Sequence, residues 1–247
     1  MNKNLSGQNN IELNCLNKVR ERLSLDVCFG VSEENYEDLK MWLESAVPNK
    51  KSSEFPDFLF EGGIIEHFSV TSSFEGRKGS KQKAESSKLQ AKSQRDFLLK
   101  LEKSQVDNVT KHSVGKYLEN HSHLNINKSI KKNWEKHIIS YDNYCLKEKH
   151  SIFLMEYTDF ALQTAIENED RPVTIYDSYR ISADKELLKW IYDFKDKIEY
   201  LILFHEKSLE VIRTDKIKEI MGNLPNAWFN PVVGMETHRY VGWKQEK

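Results

Sequence analysis

The sequence has no apolar run approaching the roughly 18 to 20 residues needed to span a bilayer. Its first ten residues are polar and lack the apolar centre of a secretory signal, so a cytoplasmic protein is expected. Cysteine is scarce: Cys15, Cys28 and Cys145 are odd in number, far apart and without CxxC spacing. That pattern suggests neither a disulfide framework nor a zinc knuckle and reads as ordinary reduced thiols. The 10 glycines form neither GxGxxG nor the Walker pattern GxxxxGK followed by Ser or Thr, which leaves a nucleotide cradle without support. An excess of either charge is missing too, the formal net charge being -1. A balanced total gives no general attraction to nucleic acid and moves the question to how charge is distributed.

What is present suffices for a core. A chain of 247 residues, 38% hydrophobic and 11% aromatic, is globular even with 30% charged residues. The expected organisation is a single domain over 1–247, with its core at 32–221, a helix at 11–23 ahead of it and an irregular tail over 222–247.

Ile11, Cys15, Leu16 and Val19 carry the spacing of the first helix. Ser32 can cap a second, in which Tyr36, Leu39, Trp42, Leu43, Ala46 and Val47 make one apolar stripe that ends at Pro48 and Asn49. Two strand-like runs, 55–60 and 64–70, flank Glu61-Gly62-Gly63; the two glycines supply positive backbone angles for a tight turn, and a hairpin is predicted. A further helix is expected in 79–104, apolar only from Phe97 onward, then a weakly patterned polar stretch over 105–127. Trp134, Ile138, Tyr141 and Cys145 predict a helix over 131–146. Strands follow at 151–157 and 198–204, the second apolar on both faces as in a central strand, with an amphipathic helix over 184–197 between them. A return strand at 209–214 and a helical turn at 216–221 complete the order. The fold class is α/β of the α+β kind, a mixed β-sheet flanked by helices.

Phosphodiester hydrolysis needs a divalent cation that polarises the phosphate and lowers the pKa of a water, and oxygen ligands suit Mg²⁺ or Mn²⁺. Asp57 opens the first arm of the predicted hairpin and Glu66 lies in the second, nine positions later, so both carboxylates are candidate metal ligands. A third ligand is sought in a backbone carbonyl beside Glu66 or in Glu37 or Glu44 of the preceding helix.

Pro56-Asp57 followed by Glu66-His67-Phe68, with this element order, resembles the PD-(D/E)XK nuclease superfamily, which includes the restriction endonucleases. The resemblance implies a restriction endonuclease-like core, a helix, three antiparallel strands, a helix and a strand. It also implies Mg²⁺-dependent cleavage of DNA with Asp57 and Glu66 as metal ligands, and a role in restriction or defence. The family's lysine, two residues after the acid and on the same strand face, is replaced here by Phe68, while His67 should point to the other face. Either the lysine has migrated, with Lys81 or Lys78 as candidates, or the fold serves as a catalytically inactive module that binds nucleic acid or protein.

Between Arg77 and Lys103 nine Lys or Arg face three acids, an excess of six positive charges suited to a phosphate backbone. DNA is the expected partner, a membrane is not, and a homodimer is left open. Bland readings stand beside these. Asp57 after Pro56 is also an ordinary strand-entry residue, a basic run is usually a solvated helix face, and His121-Ser122-His123 is a poor metal signature by itself. A phosphoesterase acting on small molecules is a further alternative.

Overall fold

The computed structural model describes residues 5–50, 54–73, 91–92, 94–99, 102–103, 110–117, 121–144, 148–158, 162–168, 171–225, 228–229 and 235–242. Helix α1 (Leu5–Arg22) buries Glu12, Cys15, Leu16 and Val19 and leaves Ile11 exposed. At about 100° per residue, positions 12, 15, 16 and 19 share one face, so Glu12 takes the place expected for Ile11. After β1 (Cys28–Phe29), helix α2 (Glu33–Ser45) starts where expected, the Ser32 side chain accepting a hydrogen bond from the Asn35 N–H. It ends before Val47 and Pro48, which form the short strand β2 (Val47–Pro48).

The hairpin is present as β3 (Phe58–Phe60) and β4 (Gly63–Val70). One glycine behaves differently from expectation. Gly62 has φ 76° and makes the turn, whereas Gly63 opens β4 for steric reasons. A Cβ on Gly63 would lie 2.1 Å from Phe60 Cζ and 2.9 Å from the His150 carbonyl oxygen. We expect Gly63→Ala to destabilise the chain by about 1–3 kcal/mol through overpacking, measured by denaturant unfolding.

From β4 the chain passes through β5 (Thr110–Tyr117) and helix α3 (His123–Asn143) to β6 (His150–Tyr157). Helix α3 begins eight residues before the expected 131, because Ser122 caps it by accepting from the Asn125 N–H and Ile126 and Ile130 extend its buried face. Strands β7 (Thr164–Asn168) and β8 (Arg171–Tyr176) follow, then α4 (Lys185–Tyr192), β9 (Tyr200–His205), β10 (Ser208–Arg213) and α5 (Ile217–Gly222). Helix α4 is shorter than the expected 184–197: Asp184 is its cap, and the chain beyond Tyr192 turns into β9. The tail is not wholly irregular, since it contributes β11 (Trp228–Phe229) and β12 (Met235–Gly242). These strands were hidden in the sequence because each finds its partner far along the chain, β11 on β7 and β12 on β5.

The result is a mixed α/β fold on a seven-stranded sheet of order β1-β10-β9-β6-β4-β3-β2. Strands β4, β6 and β9 run parallel at its centre, and β2, β3 and β4 form an antiparallel meander. Alternation along the strands sends side chains into two cores. Phe68, Val70, Phe153, Met155, Leu201 and Leu203 pack under α3, α4 and α5, while Ile65, Ile152, Leu154, Tyr200 and Ile202 pack under α1 and α2. No helix among the described residues is long and apolar enough to cross a membrane.

Candidate functional site

The mouth of the hairpin is fixed from both sides. Asn49 donates its backbone N–H to the Asp57 carbonyl at 2.8 Å and its side-chain amide to the Pro56 carbonyl at 2.9 Å, tying the entry of β3 to the end of β2. Phe58 pairs with Ile65, so Asp57 stands opposite Glu66 just beyond the ladder. There the two side chains replace the missing backbone pairing. The Asp57 N–H donates to Glu66 Oε2 at 3.2 Å, and the His67 N–H donates to Asp57 Oδ2 at 2.8 Å.

Strand alternation then separates their surroundings. His67 lies on the side of α1, where its imidazole, the Glu12 carboxylate and the Asp57 carboxylate offer donors within 4.8 Å of one another. Glu66 lies on the side of α3, its Oε1 2.5 Å from His137 Nδ1. The His137 ring in turn stacks on Phe68, with centroids 4.7 Å apart and planes 10° from parallel. Phe68, at the position of the resembled family's lysine, is therefore a core residue that supports His137.

Glu12 and Glu66 are buried and Asp57 is half-buried. Burial raises the Asp57 carboxyl to about 7, with the nearby Glu66 charge adding to it and the His67 N–H bond opposing. Burial likewise raises Glu66 to about 8 against the Asp57 N–H bond, Glu12 adding to the rise. His137 is lowered to about 4 by burial and by Lys136. Burial thus moves both partners of the Glu66–His137 contact towards their neutral forms, with one proton between the carboxyl oxygen and the ring nitrogen. Among the described residues no lysine or arginine forms an ion pair with Asp57 or Glu66.

Protein-family models, curated proteins and solved structures give no match to this chain. The chemistry of the site follows from its own atoms. Two carboxylates and an imidazole from three separate elements make a donor set for a divalent cation, and a protonatable pair stands beside it.

Of the residues singled out in the sequence, Asp57 and Glu66 meet through their backbone bonds, while Glu37 and Glu44 are exposed on α2 and the additional acid comes from α1. Glu12 carries a readable signal: it is an acid inside an apolar helix stripe. His137 carries none, since a histidine in a lysine-rich helix looks solvated until α3 is placed on the sheet. Lys81 and Lys78 lie outside the described residues, as does most of the basic run, of which Lys92, Arg95 and Lys103 are described and exposed.

The HxH pair stands at the start of α3, His121 bridging to Ser73 and His123 opening the helix, and has two structural uses. His121 Nδ1 bonds Ser72 Oγ at 2.7 Å in a buried network with the Tyr157 hydroxyl. His123 Nε2 lies 2.6 Å from Asp184 Oδ2, an oxygen that also accepts from the Tyr179 hydroxyl.

Proposed function

We propose that this chain is a divalent-cation-dependent nuclease that hydrolyses phosphodiester bonds, DNA being its first substrate, with Glu12, Asp57 and Glu66 as its acidic centre. The observation that carries this reading is Asp57 at the hairpin mouth, clustered with Glu12 and His67 on one side and joined to Glu66 through the strand amides on the other, with the Asp57 and Glu66 carboxyls both raised towards neutral pKa. Buried carboxyl groups brought together this way are stabilised by a cation.

The order of elements supports the resemblance to the PD-(D/E)XK nuclease superfamily. Helix α2, the antiparallel meander β2-β3-β4, helix α3 and the parallel strand β6 come in the order of a restriction endonuclease-like core, with β5 inserted between β4 and α3, Asp57 entering the second strand of the meander and Glu66 in its third.

Glu12, Asp57 and His67 fit Mn²⁺ at least as well as Mg²⁺, because one of the three donors is an imidazole. When bound, the cation would polarise the phosphate and make a water more acidic. The protein's own part is positional and protic. Asp57 and Glu66 hold each other through the amides of the two strands, and the Glu66–His137 pair stores or releases a proton beside the acids. We assign to that pair the proton handling that lysine performs in the resembled family, with Lys81 kept as the alternative amine.

The experiment is nicking of supercoiled plasmid in Mg²⁺ or Mn²⁺ by the parent and by Glu66→Gln and Glu12→Gln; a parent that cuts no DNA or RNA in either metal overturns the reading. His137→Ala should lower turnover by about 10²-fold and change the pH profile, with DNA affinity preserved. A non-catalytic binding module is the second reading. It is favoured by Phe68, which fills the lysine position from inside the core, and by the engagement of both Glu66 oxygens in hydrogen bonds. In that case the parent binds DNA in a salt-dependent manner without cutting it.

A further inference from the structure

We propose that Cys15, His67 and Glu156 form a site for one zinc-class divalent cation beneath α1. Cys15 comes from α1, His67 from β4 and Glu156 from β6, and their sulfur, nitrogen and oxygen donors lie within 4.8 Å of one another. The thiol is 1% exposed and the histidine 8%, while Glu156 is half-buried.

His67 Nε2 points to a ligand. It is buried and has no hydrogen-bond partner, a costly condition for a ring nitrogen. Glu156 Oε2 stands 3.4 Å away without completing a hydrogen bond. That gap is the one a tetrahedral ion imposes, since two ligands bound at about 2.0–2.2 Å on a tetrahedral centre stand about 3.4 Å apart.

The chemistry of the donors selects the cation class. Thiolate and imidazole favour Zn²⁺ over Mg²⁺, and three protein donors leave a fourth position for water. In the metal-free chain, burial and the Glu156 charge raise the Cys15 thiol well above its ordinary range. Binding replaces the S–H bond by a sulfur–metal bond and releases one proton to solvent. Glu12 and Cys15 lie one helical turn apart, so α1 supplies a hard oxygen to the acidic centre and a soft sulfur to this site, with His67 between them. The site shares His67 with the donor set proposed for the nuclease, but Cys15 and Glu156 have no part in that reading, so a test read on the Cys15 thiolate fails or holds independently of it.

The test is titration of the metal-free full chain with Co²⁺, read by absorption. A near-ultraviolet thiolate-to-cobalt band should grow to saturation at a single equivalent and vanish when Zn²⁺ is added. Cys15→Ser should abolish it and Cys28→Ser should retain it. Glu156→Gln should keep the band while weakening Co²⁺ binding by at least about tenfold. No band in the folded wild type, or a band that survives Cys15→Ser, overturns the proposal. If circular dichroism shows Cys15→Ser unfolded, Glu156→Gln decides, and unchanged Co²⁺ affinity there overturns it.

Discussion

Asp57→Ala is expected to lower metal-dependent plasmid nicking by about 10³-fold, the loss that follows when several kcal/mol of charge stabilisation is removed from a transition state. Asp57 has two separable tasks, and two substitutions divide them. Its carboxylate belongs to the donor set with Glu12 and His67, and its Oδ2 accepts the His67 N–H at 2.8 Å. Asp57→Asn keeps an oxygen acceptor in place and removes the charge; it should lose activity to a similar extent, with little change in unfolding free energy below pH 3.8, where the Asp57 carboxyl is largely neutral in both states, and with higher stability than the parent at pH 8. Asp57→Ala leaves the His67 N–H unpaired as well, adding a stability loss of about 1–3 kcal/mol. Activity within tenfold of the parent for Asp57→Asn would remove Asp57 from the metal centre.

The second large effect is on stability against pH. In metal-free buffer the folded chain should lose on the order of several kcal/mol between pH 6.5 and 8, since each unit of pKa difference is worth about 1.4 kcal/mol. Asp57 and Glu66 have folded values of about 7 and about 8, above their ordinary 3.8 and 4.5. For such acids the folded state binds more protons than the unfolded one, so their stabilisation is complete below about pH 4 and is lost as pH rises through the folded values. His137, lowered from 6.5 to about 4, acts oppositely: its contribution is present above pH 6.5 and is lost as pH falls towards 4. Between pH 4 and 6.5 the single histidine offsets only about one of the two acids, so stability already falls there, and above that window the decline of both acids is unopposed. Saturating Mn²⁺ should reverse it at pH 8, because the proposed cation would bind only the folded, deprotonated site. Melting temperature measured from pH 5 to 8.5 with and without Mn²⁺ checks this. A metal-free profile that rises across pH 6.5 to 8 would show that the acids are ionised without a cation.

Local elements were readable because their causes are local. The Ser32 cap, the α2 stripe, the Gly62 turn and the apolar runs of β6, β9 and β10 each need only near neighbours in the chain. Where pairing crosses long distances the reading failed. The polar strands β5 and β12 have no apolar alternation to announce them and exist through each other, and the start of α3 depends on what its first turn covers.

The hairpin followed the same division. The sequence by itself placed Asp57 and Glu66 on facing arms and His67 and Phe68 on opposite faces, because a turn and the period of two in a strand are short-range rules. Only the tertiary structure decided what those faces meet: Glu12 and Cys15 from α1 on one, and His137, 71 residues beyond Glu66, on the other. A side chain's partners across a sheet are set by which helices cover it, and the stacking of layers leaves no mark in the spacing of residues along one strand.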